Sequence, residues 1–495
     1  MKHYYWIQIA MALLFLDGPC GFARTSRESQ SQLKDTLVEV EVSRKIHDYQ
    51  MPWNRSAGNV RKSAVMIAPG ELLTTADGLA DQTLVRVQKE GRGTWFDASL
   101  SWVDYHANLA MLDVKEPTFW KGMKPVELAS KVATTDEFNI HRWRGGNIEL
   151  RKAEFTQFVV SDTKLSFIQI AQIELTSEIS GVGWGEPLMA GSKLVGLVTS
   201  HTRSTCMATP APFIRGILEA RKKKIPSSLG YFDFVWQQTE NPGIHRSLNF
   251  PGEPKGVLVI EAAKELGQSN IVQLRDLILQ VDGFDIDTQG NYEDPMYGHL
   301  ILENLATRGR MGGEPIKLKL WRQGKVVETI YQIPKADQQA KLMPDFIFDQ
   351  EPEYLIVGGL VFQPLSNQYL RSWGDDWKRR SPFRLNYYNN EPATKDRPGL
   401  VILSSVMPDI YNLGYQDMRL LVVDTFNGRK IARLGDLQEA MKQPKDGFHV
   451  IDYMKGDSLR RMVLDAKTAD AATQRVLSRY SIQADHVIHG MAASK

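Results

Sequence analysis

Covalent catalysis by a side chain needs a hydroxyl or thiol nucleophile, a base to take its proton and an acid to orient that base. Few residues of this 495-residue chain are candidates. Ser177, Ser180, His106 and His201 lie nearest the segments that carry the strongest motifs, but they form no Ser/His/Asp set at matched spacing. Cysteine is scarce: only Cys20 and Cys206 occur. If Cys20 is removed with a leader, Cys206 is alone and reads as a small buried apolar residue, with no disulfide available. The ten histidines make no metal pattern; His201 near Cys206 lacks partners, and no C-x-x-C or H-x-x-x-H occurs. Asp282-Gly283 with Asp285 and Asp287 hints at calcium, but the rest of an EF-hand loop is missing and a solvated turn is expected. No cofactor and no metal are expected.

The elements that would position any site fall into three units. From Ser63 to about Ile214 the chain reads as short strands separated by turns: Ser63–Ala68, Thr83–Val87, Trp95–Leu100, Leu109–Val114, Phe167–Ile170 and Leu194–Thr199. That texture indicates a sandwich or barrel, closed by one helix from Pro212 to about Lys223. A second unit, 230–335, carries strands at Gly256–Ile260 and Leu277–Val281, a helix around Leu300 to Arg308, and a hairpin of Ile316–Trp321 with Val326–Ile330. Alternate lysines in that hairpin fit a strand with one wet face. A polar linker, Lys335 to Pro344, leads to a third unit, 345–488, with strands at Val401–Val406 and Leu421–Asp424 and a helix from Leu434. Its order repeats that of the second unit, as a diverged duplication would.

Sixty basic against 58 acidic residues leave a net charge of +2, which argues against nucleic acid as partner. The run Arg221-Lys222-Lys223-Lys224 is short and reads as a solvated helix end, with a contact surface or targeting signal as the alternative. At the N-terminus, Lys2 and His3 precede the apolar run Tyr4–Leu16, and Gly21-Phe22-Ala23 offers a small-x-small cleavage site. That is the order of a secretory signal peptide, 1–23, and the run is too short for a membrane span. Asp17-Gly18-Pro19 before Cys20 lacks the residues of a lipobox. The protein is therefore expected to be exported, periplasmic or extracellular, without an integral span after cleavage. Residues 24–58 are polar with weak helical periodicity and read as an arm.

The first domain, 59–225, resembles the protease domain of the Deg/HtrA family. Leu72-Leu-Thr-Thr-Ala-Asp77 stands where the family has its catalytic His, and Asp104 followed by Asn108-Leu-Ala-Met-Leu112 where it has its catalytic Asp. Val182-Gly-Trp-Gly-Glu-Pro-Leu188 stands where it has Gly-Asn-Ser-Gly-Gly-Pro-Leu, ahead of the strand Leu194-Val-Gly-Leu. The resemblance runs through two PDZ-type modules and is nearest to plant-type Deg proteases, through Tyr354-Leu-Ile-Val-Gly-Gly-Leu-Val-Phe-Gln-Pro-Leu365. It implies a mainly β fold: a trypsin-like double β-barrel followed by two PDZ-like α+β domains.

The departures bear on function. At the family's His, Asp and Ser positions stand Asp77, Asn108 and Trp184. A carboxylate with an ordinary pKa near 3.9 is a poor base at neutral pH, and an indole cannot be a nucleophile. Val182 replaces the glycine whose freedom helps aim amides at an oxyanion. Trp184 reads as an aromatic plugging the vacated pocket, with a ligand-stacking platform as the alternative.

PDZ modules bind an extended peptide on a sheet edge, with loop amides on its terminal carboxylate. The resemblance places that loop at Ser247-Leu248-Asn249-Phe250, where Asn249 can take the left-handed conformation of a glycine. Ile301 and Leu305, at i and i+4 of the expected helix, would wall the groove, though core packing accounts for them equally well. The implied partners are protein C-termini or unfolded polypeptides. The implied state is a homo-oligomer, with Trp53 placed for a trimer contact. The leading reading is an exported pseudoprotease that acts as a peptide-binding scaffold or chaperone-like protein. The alternatives are a serine-type endopeptidase in protein quality control and a structural subunit of a mixed oligomer with an active paralogue.

Overall fold

The computed structural model describes residues 33–489 apart from 224–227, 264–267, 269, 339–340 and 456–460. The expected signal segment, Cys20 and Lys224 lie outside the described residues.

Six strands close a first barrel: β1 (Leu37–His47), β2 (Arg55–Ala68), β3 (Glu71–Thr74), β4 (Gln82–Lys89), β5 (Trp95–Asp104) and β6 (Leu109–Asp113), in the order β1-β2-β3-β6-β5-β4. The expected arm, 24–58, is overturned over its described part, 33–58, because β1 pairs with both β2 and β4; residues 24–32 lie outside the described residues. The decisive pattern is alternation, Val38-Glu-Val-Glu-Val42, which buries Val38, Val40 and Val42 completely inside the barrel and turns Glu39 and Glu41 outward. Helical spacing would have scattered those valines around a cylinder.

A second sheet holds β7 (Glu127–Leu128), β8 (Phe138–Arg144), β9 (Asn147–Asp162), β10 (Gln169–Thr176), β11 (Pro187–Ala190), β12 (Lys193–Thr202) and β13 (Thr205–Pro210). Pairing of β11 with both β8 and β12 closes it around a second apolar core that includes Ile140, Ile173, Val195 and Val198. The helix Ala211–Lys222 ends the domain. Leu37, Leu73, Met111, Ile168, Met189 and Ile214, drawn from both halves, form one buried cluster between the barrels, and the Trp143 indole N–H crosses it to the Leu37 carbonyl at 2.7 Å. The loops at this seam carry positions 77, 108 and 184.

On β8, His141 is 1% exposed, and its Nδ1 has no hydrogen-bond partner among the described residues. Burial pushes its pKa down to about 4. An unfolded chain takes up a proton below about 6.5 that the folded chain refuses until about 4, so acid destabilises the fold through this window. His141→Leu is expected to flatten the acid limb of a urea-denaturation series by up to roughly 3 kcal/mol between pH 6.5 and 4.

The second unit is a sheet in the order β14 (Val235–Gln237), β15 (Val257–Glu261), β16 (Leu277–Val281), β20 (Pro315–Arg322), β21 (Lys325–Gln332), with β17 (Phe284–Asp285) beside β16 and a separate pair, β18 (Asn291–Asp294) and β19 (Gly298–Ile301). The expected helix over 300–308 is replaced by β19 and a five-residue 3₁₀ turn, Leu302–Ala306. Tertiary demand explains the change. Leu300 pairs opposite Tyr292, while Asn304 accepts from Ala171 N–H of the barrel at 2.9 Å and donates to the Tyr292 hydroxyl at 2.7 Å.

The third unit has the sheet order β28-β27-β25-β24-β23-β22-β29, made of β22 (Tyr354–Val357), β23 (Leu360–Pro364), β24 (Val401–Val406), β25 (Leu421–Phe426), β27 (Phe448–Tyr453), β28 (Arg461–Asp465) and β29 (His486–Val487), with β26 (Arg429–Lys430) beside β25. The segment leading into it is docked, not free. Phe348 stacks on Tyr105 at 3.9 Å, and Asp349 accepts from the Tyr105 hydroxyl and from Asp81 N–H.

Candidate functional site

Asp77, Asn108 and Trp184 converge at the mouth of the seam between the barrels. Asn108 sits just before β6, 1% exposed and in a left-handed conformation (φ +54°) that asparagine tolerates. Its Oδ1 accepts the Asp77 backbone N–H at 2.9 Å. The Asp77 carboxylate makes an ion pair with Lys164, from the loop between β9 and β10, at 2.6 Å. The same ammonium lies 4.7 Å from the Trp184 ring centroid, and the ring packs over Gly78. Lys164 therefore links two of the three positions.

Beneath this layer lie two charges that sequence reasoning did not single out. The Glu186 side chain, 3% exposed, accepts the backbone N–H groups of Gly183 and Trp184 on one oxygen, Oε2, each at 2.8 Å. Burial pushes its pKa up, opposed by those two amide bonds. Glycines make the turn possible. Gly183 has φ +111°, and a Cβ there would lie 2.9 Å from the Ser200 backbone; at Gly185 (φ +88°) it would press on the Ser63 carbonyl and Thr74 Oγ1. Val182 is not required to adopt a positive φ, because Gly181, Gly183 and Gly185 supply the left-handed positions.

Lys62 on β2 is 3% exposed and donates to the Thr75 carbonyl at 2.5 Å, the Thr75 hydroxyl at 3.1 Å and the Asp77 carbonyl at 2.6 Å. Burial lowers its pKa to about 7, while the charges of Asp77 and Glu186 oppose the shift. It shares strand parity with Ala64 and Met66, which face the barrel core, and that parity was the available signal.

The other candidate residues do not rebuild a reactive set. His106 is half-buried rather than solvated, and its Nδ1 is 2.7 Å from the Ser166 hydroxyl. Ser166 is only 4% exposed and its oxygen also accepts from Ile168 N–H. Ser177 donates to the Lys152 carbonyl, and Cys206 is fully buried, its thiol pushed up to about 11 by burial. Among the described residues no group of three His, Cys, Asp or Glu side chains could hold a metal ion, and no helix is long and apolar enough to cross a membrane.

Comparison with known proteins bears on this arrangement. A family model described as PDZ domain matches residues 343–488. "Putative protease Do-like 13" of Arabidopsis thaliana is 25% identical over 445 residues, covering 87% of this chain and 84% of that protein. "Putative protease Do-like 12, mitochondrial", from the same plant, is 25% identical over 470 residues, covering 93% and 88%. The chain is a homologue of the Deg/HtrA proteases. A solved structure, "HtrA-type protease AlgWS227A with decapeptide", shares the fold at a TM-score of 0.50 and 16% identity, covering 63% of this chain and 97% of that one.

In this Deg/HtrA homologue the five residues expected to line a peptide groove do not come together. Leu248 and Phe250 pack with Leu277, Leu279 and Trp321, whereas Leu305 belongs to the main core of the second unit and Ile301 ends β19. Asn249 does take the left-handed conformation, φ +49°. The N–H groups of residues 248, 249 and 250 are nevertheless consumed by carbonyls of the helix Pro242–Ser247, so they close that helix rather than face a ligand. The edges of this sheet lie elsewhere, at β14 and β21; among the described residues β14 pairs only with β15, and it is preceded by Leu229-Gly230-Tyr231. That triplet has a Leu-Gly-aromatic order that the sequence reading did not single out. In the third unit β23 is paired on one side with β24 and on the other with β22, so its edge is covered by the chain itself. Trp53 packs edge-on against Tyr354 of the same chain, ring centroids 5.9 Å apart.

Proposed function

We propose that this Deg/HtrA homologue is a non-catalytic, chaperone-like scaffold that binds peptides. The observation that carries this reading is the Glu186 carboxylate on the Gly183 and Trp184 amides. Acyl-transfer catalysis depends on amides held ready for a developing oxyanion. Here the chain's own carboxylate holds the amide of Trp184, one of the two aligned donors (182 and 184), together with that of its neighbour Gly183, and position 184 offers an indole in place of a nucleophile. The unmodified protein is expected to leave casein intact on prolonged incubation and to take no fluorophosphonate label. Labelling abolished by a single Ser or Thr substitution would establish the endopeptidase reading that the names of its plant relatives favour.

Peptide capture then falls to the second unit, along β14. Strand addition draws affinity from main-chain hydrogen bonds, so the ligand is an extended C-terminus ending in an apolar residue. A micromolar dissociation constant, about −8 kcal/mol, is the expected scale. Val235→Pro removes a donor from the edge strand and is expected to abolish binding to a C-terminal peptide library, while Leu248→Lys leaves it within about twofold. The opposite outcome would return the groove to residues 248–250. Assembly into a homo-oligomer is part of the same proposal and is read by light scattering. Export is too, and predicts a mature N-terminus near Arg24 by mass spectrometry.

A further inference from the structure

Between β23 and β24 the third unit makes a long excursion that adds no strand to its sheet. It is rooted by Tyr369, Leu370, Trp377 and Leu385, all in one buried cluster. Its outer surface is unusual. Phe383 is 81% exposed, the highest value among the large exposed apolar side chains of the described residues, and Tyr387 beside it is 48% exposed, ring centroids 6.4 Å apart. Lys378, Arg379, Arg380 and Arg384 are all exposed on the two short helices Trp377–Arg380 and Phe383–Asn386 that bracket the phenylalanine. Asp375 and Asp376 stand nearby, Asp376 3.6 Å from Arg379, and Glu391 is hydrogen-bonded to the Tyr387 hydroxyl, so four cations face three acids; Arg384 also donates to the Arg419 carbonyl at 3.2 Å.

We propose that this excursion is a contact surface for an anionic lipid bilayer, with Phe383 and Tyr387 entering the interface and the four cations meeting the headgroups. Folding gains nothing from leaving a phenylalanine in water, and an apolar ring flanked along the chain by exposed cations complements a surface that is apolar below and negatively charged above. Tyrosine suits the same boundary, since its ring is apolar and its hydroxyl stays wet. A nucleic acid would call for a broader basic face than a chain of net charge +2 supplies. A patch this small suffices for a peripheral, reversible contact.

The test uses the chain from Arg24 onward, so that the apolar run Tyr4–Leu16 contributes nothing. It is sedimented with phosphatidylcholine vesicles that contain or lack phosphatidylglycerol. Binding is expected only with phosphatidylglycerol and is expected to fade with added salt. Phe383→Ala is expected to lower the partition coefficient about tenfold. Arg379→Glu with Arg380→Glu is expected to lower it on the order of a hundredfold. Absence of phosphatidylglycerol-dependent binding, or equal binding by both variants, would overturn the proposal. So would tight binding of a single-stranded RNA oligonucleotide lost in the same variants when vesicles do not bind, which would assign the patch to nucleic acid.

Discussion

The triple variant Asp77→His, Asn108→Asp, Trp184→Ser is expected to leave casein uncut. It would supply a base, an orienting acid and a hydroxyl at three positions the fold already brings together. Glu186 would still hold the amides of residues 183 and 184 on its Oε2. Loss of a single oxyanion donor costs about 10²–10³ in turnover, and a carboxylate seated there adds repulsion toward any developing negative charge. Adding Glu186→Gly to the triple variant is expected to raise the rate of fluorophosphonate labelling by about a hundredfold or more. Near-ultraviolet circular dichroism checks that the cleft still folds. Casein cleavage by the triple variant itself would show that Glu186 yields readily and would sink the reading of the site as closed.

A second large effect concerns Lys62. Its folded pKa, about 7, lies well below the ordinary lysine value of 10.5. Between those values the unfolded chain holds a proton that the folded chain has released, so stability rises as pH increases through the window. At about 1.4 kcal/mol per unit the full effect is on the order of 5 kcal/mol. It is best read between pH 7 and about 9.5, below the range where unfolded tyrosines ionise. Guanidinium denaturation is expected to show this rise in the unmodified protein and a nearly flat profile in Lys62→Met. Equal slopes in the two proteins would mean that the ammonium is hydrated rather than buried. The absolute stability of the variant is a separate matter, because methionine also leaves the Thr75 and Asp77 carbonyls without their donor.

Much of the architecture could be read from local pattern. The hairpin of β20 and β21, the strands of the first barrel after residue 63, and the closing helix at 211–222 all follow from period-two alternation, turn residues or helical spacing. The mistaken arm over 33–58 shows how the reading fails. Val38–Val42 alternates strictly, but five residues inside a polar stretch carry little weight against their surroundings. The expected helix at 300–308 failed for a different reason. Its apolar residues fit helical spacing, yet Asn304 is needed to bond a barrel strand more than a hundred residues away. Propensity yields to such a tertiary bond.

The site divides along the same line. Residue identities at 77, 108 and 184 fix what chemistry those positions can support, because an indole has no nucleophilic hydroxyl wherever it sits. The sequence alone also carried the family likeness, through motif order. Only the folded chain decided what replaced the lost chemistry. Lys62 and Glu186 are 124 positions apart in the sequence, and neither sits in a recognisable motif for a buried charge. They meet because two barrels pack face to face across a shared apolar seam. The same holds for the sheet edges. Whether a strand is an edge depends on what lies beside it, so β14 is an edge and β23 is covered although a glycine stands shortly before each. Pairing is a property of neighbours in space, and the sequence of a strand records its own faces but not who occupies its sides.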